Sequence, residues 1–374
     1  MSISLFSGAG ISVQFGMDTT ANFKSKLVQD EKVNPKIPSN RQETKTTFAS
    51  LITNPDLGDI EEVLNAIKEL SENITNPDLF PKHAKIAWST LTFPDAPTFK
   101  NVLRPLSITL VAVQTQINNL VFDAYNWNTK HDTHLKVFYS RLFKIIQEES
   151  NIVNIGTTNY DQSVEKFCLL PNSKYDCHDG FVMDGLNDET IFSADNFNLK
   201  ITDNGKTNVR LFKIHGSLNW KKKGDSIIRV TDKSTIGNND RVFISPTLNP
   251  KNDVKNEPFN SLNKLFNKHL QESHICLIIG YSFRDQHINN MFKEFLKNSK
   301  KQIIVISPTC KSNFVRNFIG KPFTENERDH DWLRSNPQNN IHFLEYSLDK
   351  DNGEQVLLEL KIKISNIKSK MSVT

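Results

Sequence analysis

Gly8-Ala9-Gly10 directly follows an alternating apolar run at residues 2–6. A glycine turn after a strand suits a nucleotide pyrophosphate. That group needs backbone N–H donors and a close approach that side chains at 8 and 10 would block. Ser12 closes this first cluster. Three more polar, turn-forming clusters end strand-like runs: Thr157-Thr158-Asn159-Tyr160-Asp161, Lys213-Ile214-His215-Gly216-Ser217 and Gly280-Tyr281-Ser282-Phe283-Arg284-Asp285. An amide such as that of Asn159 donates and accepts at once, and so can orient a water. A neutral imidazole such as that of His215 can take a proton near neutral pH. Taken singly, each cluster has a plainer reading. The glycine turn is then an ordinary strand-to-loop turn, Asn159 a turn-capping amide, Asp161 the N-cap of a helix over 162–167, and His215 a hydrogen-bonded residue at a strand end. In a doubly wound sheet, however, ligands sit at the carboxyl ends of the strands. Four such clusters together favour a nucleotide site.

The elements that must position them are legible as hydrophobic periods. Strand-like runs lie at 2–6, 151–155, 209–214, 241–244, 274–279 and 302–306, with one more at 339–347. Between the first two of these the period is helical. Ile60, Val63, Leu64, Ile67 and Leu70 share one face, as do Leu106, Leu110, Val113, Ile117, Leu120 and Val121. A third helix carries Leu135, Phe138, Leu142, Ile145 and Ile146, with Thr133 as its expected N-cap. Residues 23–58 are polar and read as loop with short helical pieces. Ile288, Met291, Phe292, Phe295 and Leu296 mark a helix after the 274–279 strand, and 355–367 a terminal helix. The fold class expected is α/β: a Rossmann-like parallel sheet with a mostly helical inserted subdomain. The sheet domain is expected over 1–20 and 150–374, and the helical insert over 21–149.

Composition narrows the class further. Of 374 residues, 37% are hydrophobic and 25 are Phe, enough for a sizeable core. The net charge of +4 falls short of a nucleic-acid-binding composition. No run of 18 apolar residues points to a membrane span, and residues 1–8 lack the pattern of a secretory signal. Four Cys make no disulfide scaffold. The expected location is cytoplasmic, with no membrane and no specific nucleic-acid contact. Lys221-Lys222-Lys223, followed by Gly224-Asp225, reads as a solvated hairpin turn. Asp329-His330-Asp331 reads as an exposed loop and Glu61-Glu62 as a solvated helix face.

The four clusters, in this order, resemble the sirtuin superfamily, whose pattern is Gly-Ala-Gly-x-Ser, Thr-x-Asn-x-Asp, His-Gly and Gly-x-Ser. The particular forms here are similar to the bacterial sirtuin-like branch of NAD-cleaving antiphage effectors. The resemblance implies a Rossmann-type domain with NAD as substrate. The adenosine-phosphate end would lie over Gly8, Ala9, Gly10 and Ser12. Asn159 and Asp161 would face the nicotinamide ribose and His215 its hydroxyls. Ser282 would meet the phosphates or adenosine ribose, with Gly280 and Asp285 completing the cofactor-binding set. Asn159 and His215 would be the catalytic pair of an NAD glycohydrolase. Cleavage at the anomeric carbon would pass through an oxocarbenium-like state.

Two departures separate the chain from the deacetylating sirtuins. The Asp-Phe-Arg that follows their glycine turn is missing, with Asp18 a candidate substitute. No paired Cys-x-x-Cys exists, since Cys168 and Cys177 are nine apart and Cys276 lies within a strand run. The structural zinc ribbon is therefore not expected, and with it no metal. Two other functions compete: a non-catalytic subunit that binds NAD or ADP-ribose, and a protein deacylase. About 65 residues follow the last strand before 307, too few for an added sensor domain. Activation is thus expected from self-assembly as a homo-oligomer, or from a partner such as a HerA-type ATPase or another phage sensor. The helical insert is expected to cover the nicotinamide end of the pocket.

Overall fold

A computed structural model of the chain describes residues 1–15, 17, 23–25, 42–73, 82–90, 108–115, 117, 119–120, 132–184, 189–198, 205–231, 236, 240–244, 253–320, 340–348 and 353–371. Asp18, Leu106, Val121 and the Asp329-His330-Asp331 stretch lie outside these residues. The chain divides into two compact units: residues 1–17, 127–243 and 251–374, and residues 18–126 with 244–250.

The first unit is built on a seven-stranded sheet. Its strands are β1 (Ile3–Ser7), β2 (Ile152–Thr157), β3 (Tyr175–His178), β6 (Thr207–Lys213), β10 (Ile275–Ile279), β11 (Gln302–Ile306) and β12 (Ile341–Leu344). They run in the order β12-β11-β10-β1-β2-β6-β3, and every pairing is parallel. From β1 the chain lays β2 beside it, then the edge strand β3, then β6 between β2 and β3, and returns to lay β10, β11 and β12 on the other side. The reversal lies beside β1, and such a switch point opens a crevice at the strands' carboxyl ends.

Alternation along the strands divides the core between two layers of helices. Ile3, Leu5, Val153, Ile155, Val209, Leu211, Leu277 and Ile304 share one cluster with α4 (Asp132–Gln147), α5 (Ser163–Leu169) and α8 (Gly353–Met371). On the opposite side Phe6 meets Phe266 of α6 (Phe259–Glu272) and Phe292 of α7 (Gln286–Leu296) at 5.7 and 5.2 Å between ring centroids. Each buried Leu, Ile or Phe contributes about 1.5–3 kcal/mol.

Helix α4 corrects the expected boundary at 149. Its Leu135, Phe138, Tyr139, Leu142, Phe143 and Ile146 sit in the core cluster of the parallel sheet, so it belongs to the first unit. Asp132 already opens this helix, which places Thr133 inside it and not at its cap.

The first unit holds a second, antiparallel sheet that periodicity did not reveal. It comprises β4 (Phe181–Asp184), β5 (Glu189–Phe192), β7 (Gly216–Lys223), β8 (Ser226–Arg229) and β9 (Arg241–Phe243), in the order β4-β5-β8-β7-β9. The 241–244 run therefore pairs antiparallel with β7 and lies outside the parallel sheet. Trp220 is buried here against Phe181 and Phe192. Lys221-Lys222-Lys223 ends β7 at its hairpin with β8, with Lys223 opposite Ser226.

The second unit is helical: α1 (Gln42–Thr53), α2 (Ile60–Asn73), α3 (Lys82–Thr90) and helical residues 108–115. Helix α1 falls in the stretch read as loop with short helical pieces, and at 12 residues it is longer than that reading. Leu51 and Ile52 are fully buried there, so packing overrides a polar composition. The α2 face is as its period dictates, with Val63, Leu64, Ile67 and Leu70 buried. Glu62 is more than a solvated side chain. Its carboxylate accepts the Gly58 N–H at 2.7 Å while Asp59 Oδ1 accepts the Glu62 N–H at 3.1 Å, a reciprocal helix cap. No helix among the described residues is long and apolar enough to cross a membrane.

Candidate functional site

All four motif clusters follow strands at their carboxyl ends. Gly8-Ala9-Gly10 follows β1, Thr158–Asp161 follows β2, Ile214–Gly216 follows β6 and Gly280–Asp285 follows β10. These four strands are neighbours in the sheet, in the order β10-β1-β2-β6.

The glycine turn does something other than present a row of free N–H groups. The N–H groups of Gly8 and Gly10 donate to the carbonyls of Ile279 and Gly280 at 2.9 and 3.0 Å. Those of Ile11 and Ser12 donate to Gly8 and Ala9 within a 3₁₀ turn, Ala9–Ile11. The glycines allow two loops to pack backbone on backbone at the switch point. A Cβ at Gly10 would stand 2.7 Å from the Gly280 Cα, and one at Gly280 would stand 2.4 Å from the Ile11 nitrogen.

Ser12, Asn159 and Asp161 form one buried network. Asn159 Nδ2 donates to Ser12 Oγ at 3.0 Å, and Ser12 Oγ donates to Asp161 Oδ2 at 2.7 Å. The other Asp161 oxygen accepts the Ser163 N–H at 2.8 Å, in the first turn of α5, although Gln162 occupies the formal cap position. The capping role read from the sequence and a role in the network thus coexist in one carboxylate. The loop is fastened from behind. Thr157 Oγ1 donates to the Ser7 carbonyl at 3.1 Å and accepts the Asn159 N–H at 3.0 Å. The result holds Asn159 in one orientation while its Oδ1 stays buried with no hydrogen-bond partner among the described residues.

Lys213, the last residue of β6, was not singled out by sequence. It is 1% exposed, donates to the Asp161 carbonyl, and pairs with Glu165 at 3.0 Å. Burial pushes the Glu165 carboxyl above its usual range, and Lys213 opposes that shift. Lys213→Met is therefore expected to destabilise the protein by about 3–5 kcal/mol, because it strands a buried carboxylate. Adding Glu165→Leu should recover much of the loss, since an apolar pair of similar volume is often neutral. Urea unfolding measures both. A double variant no more stable than the single would remove this account.

His215 is 6% exposed and its Nε2 has no partner among the described residues. Burial lowers its pKa to about 4, so the ring is neutral near pH 7. It stacks on His287 with ring centroids 5.5 Å apart. His287 Nε2 is likewise buried without a partner, and burial followed by the neighbouring His215 lowers its pKa to about 4. Asp285 precedes α7 as its N-cap and accepts the Tyr281 hydroxyl at 3.2 Å. Burial raises the Asp285 pKa. His215, Asp285 and His287 each offer a ligand atom within 4.8 Å of the others'. His287 is the site residue that sequence reasoning missed. Its signal was its place two residues beyond Asp285 in the same run.

Ser282 sits between the two β10-loop features. Its carbonyl accepts the Asn317 Nδ2 at 2.7 Å. Phe283 follows in the left-handed region at φ 59°, a strained state that its full burial and the Asn289 bond to its carbonyl enforce. Cys168 lies on α5 and Cys177 on β3. A hydrogen bond with Cys168, together with burial, pushes the Cys177 thiol well up.

Sheet order and site composition define a Rossmann-like protein with a polar, histidine-bearing centre at its switch point. Residues 153–327 match the SIR2-like domain. The match takes in Asn159, Asp161, His215, Gly280, Ser282, Asp285 and His287. Among solved structures, a mutant Sir2 homologue in complex with 2′-O-acetyl ADP-ribose aligns over 97% of this chain and 93% of its own, at 12% identity and a TM-score of 0.38. No curated protein matches the chain significantly.

Proposed function

We propose that the chain is an NAD⁺ glycohydrolase that releases nicotinamide and ADP-ribose. The observation that carries this reading is the pair of buried, unpartnered acceptor positions, Asn159 Oδ1 and His215 Nε2, on loops that end neighbouring strands. An unsatisfied buried polar atom is destabilising by about 1–3 kcal/mol, and a polar ligand that supplies hydroxyls relieves it. A SIR2-like domain supports NAD as that ligand.

In this reading the C1′–N bond of the nicotinamide ribose breaks, and nicotinamide leaves with the electron pair. An oxocarbenium-like centre remains at C1′. Asn159, held by Ser12 and Asp161, orients a water that adds there. The water's proton passes to neutral His215 and then to solvent. Ser12, Gly280, Ser282 and Asp285, with Gly8, Ala9 and Gly10, are the further nucleotide contacts. Because the N–H groups of Gly8 and Gly10 are already engaged, Ala9 is the member of that turn left to donate to a phosphate. The biological setting we infer is cytoplasmic antiphage defence by abortive infection. There a self-associating effector is held inactive until a partner, such as a HerA-type ATPase or another phage sensor, releases it.

The test is purified chain with NAD⁺, scored for nicotinamide and ADP-ribose in equal amounts. Binding without turnover would favour a non-catalytic NAD- or ADP-ribose-binding subunit. Asn159→Ala is expected to lower turnover by ~10²–10³-fold, as for loss of one preorganised polar group, with nucleotide binding retained in calorimetry. Lost binding would move Asn159 from orienting water to anchoring the nucleotide.

A further inference from the structure

His215, Asp285 and His287 come from two separate elements. His215 follows β6, while Asp285 and His287 open α7 after β10. Their candidate ligand atoms lie within 4.8 Å of one another. Two imidazoles and one carboxylate are a donor set for zinc-class divalent ions, and three protein ligands leave a coordination position open. Around a tetrahedral Zn²⁺ with bonds of ~2.0–2.2 Å, ligand atoms stand ~3.3 Å apart, so small side-chain rotations would close the site.

A second observation points to a ligand. Nε2 of His215 and Nε2 of His287 are both buried and, among the described residues, both lack a partner. A single cation would satisfy the two imidazoles together. The Tyr281 hydroxyl, 3.2 Å from Asp285 Oδ2, orients the carboxylate as outer-shell partners do for metal ligands. The expectation of no metal rested on cysteine spacing, and this cluster contains no cysteine.

We propose that His215, Asp285 and His287 bind a divalent transition-metal ion of the zinc class. Resting on the NAD reading above, the ion and the nicotinamide ribose compete for His215. The ion is then an inhibitor of cleavage and not its cofactor.

The experiment uses full-length protein dialysed against a chelator. Calorimetry with ZnCl₂ and the visible absorption of added Co²⁺ read the site directly. A single ion per chain is expected at micromolar affinity or tighter. His287→Ala and Asp285→Asn should each weaken it at least tenfold. His178→Ala, which removes a partly exposed histidine beside Asp176, should leave it unchanged. No binding, or binding that the first two variants leave as tight as wild type, overturns the site. NAD⁺ turnover by the chelator-treated wild type tests the glycohydrolase reading separately, since calorimetry reports on the ion whether or not NAD⁺ is cleaved. Where turnover occurs, saturating Zn²⁺ should suppress it in wild type but not in His287→Ala. Unchanged turnover with the ion bound would overturn the competition.

Discussion

His215→Ala is expected to lower NAD⁺ cleavage by ~10²–10⁴-fold, the usual loss on removing one positioned acid–base group. The ring sits buried at the end of β6 with its Nε2 unspent. Its neutrality near pH 7 follows from burial, which lowers its pKa to about 4, so its unprotonated nitrogen keeps a lone pair for the strongly acidic water that adds at C1′. The ring stacks on His287, and truncation leaves a cavity beside that neighbour. Some loss of stability is therefore expected alongside the loss of turnover. His215→Gln keeps most of the volume and separates the two effects. Both variants should be assayed at a temperature where circular dichroism shows them folded. A folded variant of either kind that turns over NAD⁺ like wild type would remove His215 from the chemistry.

Gly280→Ala is expected to destabilise the first unit by about 3 kcal/mol or more, among the largest values for a single methyl group. Gly280 has φ 64°, where an L side chain is strained, and its Cβ would stand 2.4 Å from the Ile11 nitrogen and 2.5 Å from the Gly10 carbonyl carbon. Both obstacles are backbone, so relief requires one of the two switch-point loops to move. That movement would break the Gly8 and Gly10 hydrogen bonds to Ile279 and Gly280. Gly224→Ala is the control. It has φ 58° and nothing within 4 Å of its Cβ among the described residues, so it carries the conformational strain alone, roughly 1 kcal/mol. Denaturant midpoints compare the two. If Gly280→Ala loses no more than Gly224→Ala, the backbone contact is not what requires glycine there. Gly10→Ala should resemble Gly280→Ala, and the double variant should fall short of the sum because both disturb one contact.

Much of this protein is written in local pattern. The strands at β1, β2, β6, β10 and β11 are short apolar runs that end in glycine or polar turns, and burial on both faces of a parallel sheet leaves that trace. The helices α2, α4 and α7 declare themselves because one face of each is apolar. The four polar clusters were legible for a related reason. A ligand site at strand carboxyl ends requires turn residues immediately after strand residues, and that adjacency is a property of the chain.

Contacts between distant segments were not legible. Helix α4 lies next to the helical block in sequence, yet its apolar face fits the sheet, and amphipathic period alone does not say which partner it fills. Strands β4, β5 and β8 are four residues each, too short for alternation to stand out. The 241–244 run shows its strand character but not its antiparallel partner. Lys213 reads as an ordinary strand-end lysine until Glu165 and the Asp161 carbonyl close around it. The glycines at 8 and 10 are visible as a turn in sequence. Only the fold shows that they make room for Gly280, some 270 residues on. His287 has the same character: alone it is a histidine in the first turn of a helix. It becomes a candidate ligand because the switch point carries β10 and β6 to the same end of the sheet and sets His215 against it. Residue type and spacing thus determined which chemistry was available. Sheet order decided which of those residues meet, because side chains act over a few ångströms and only the fold sets those distances.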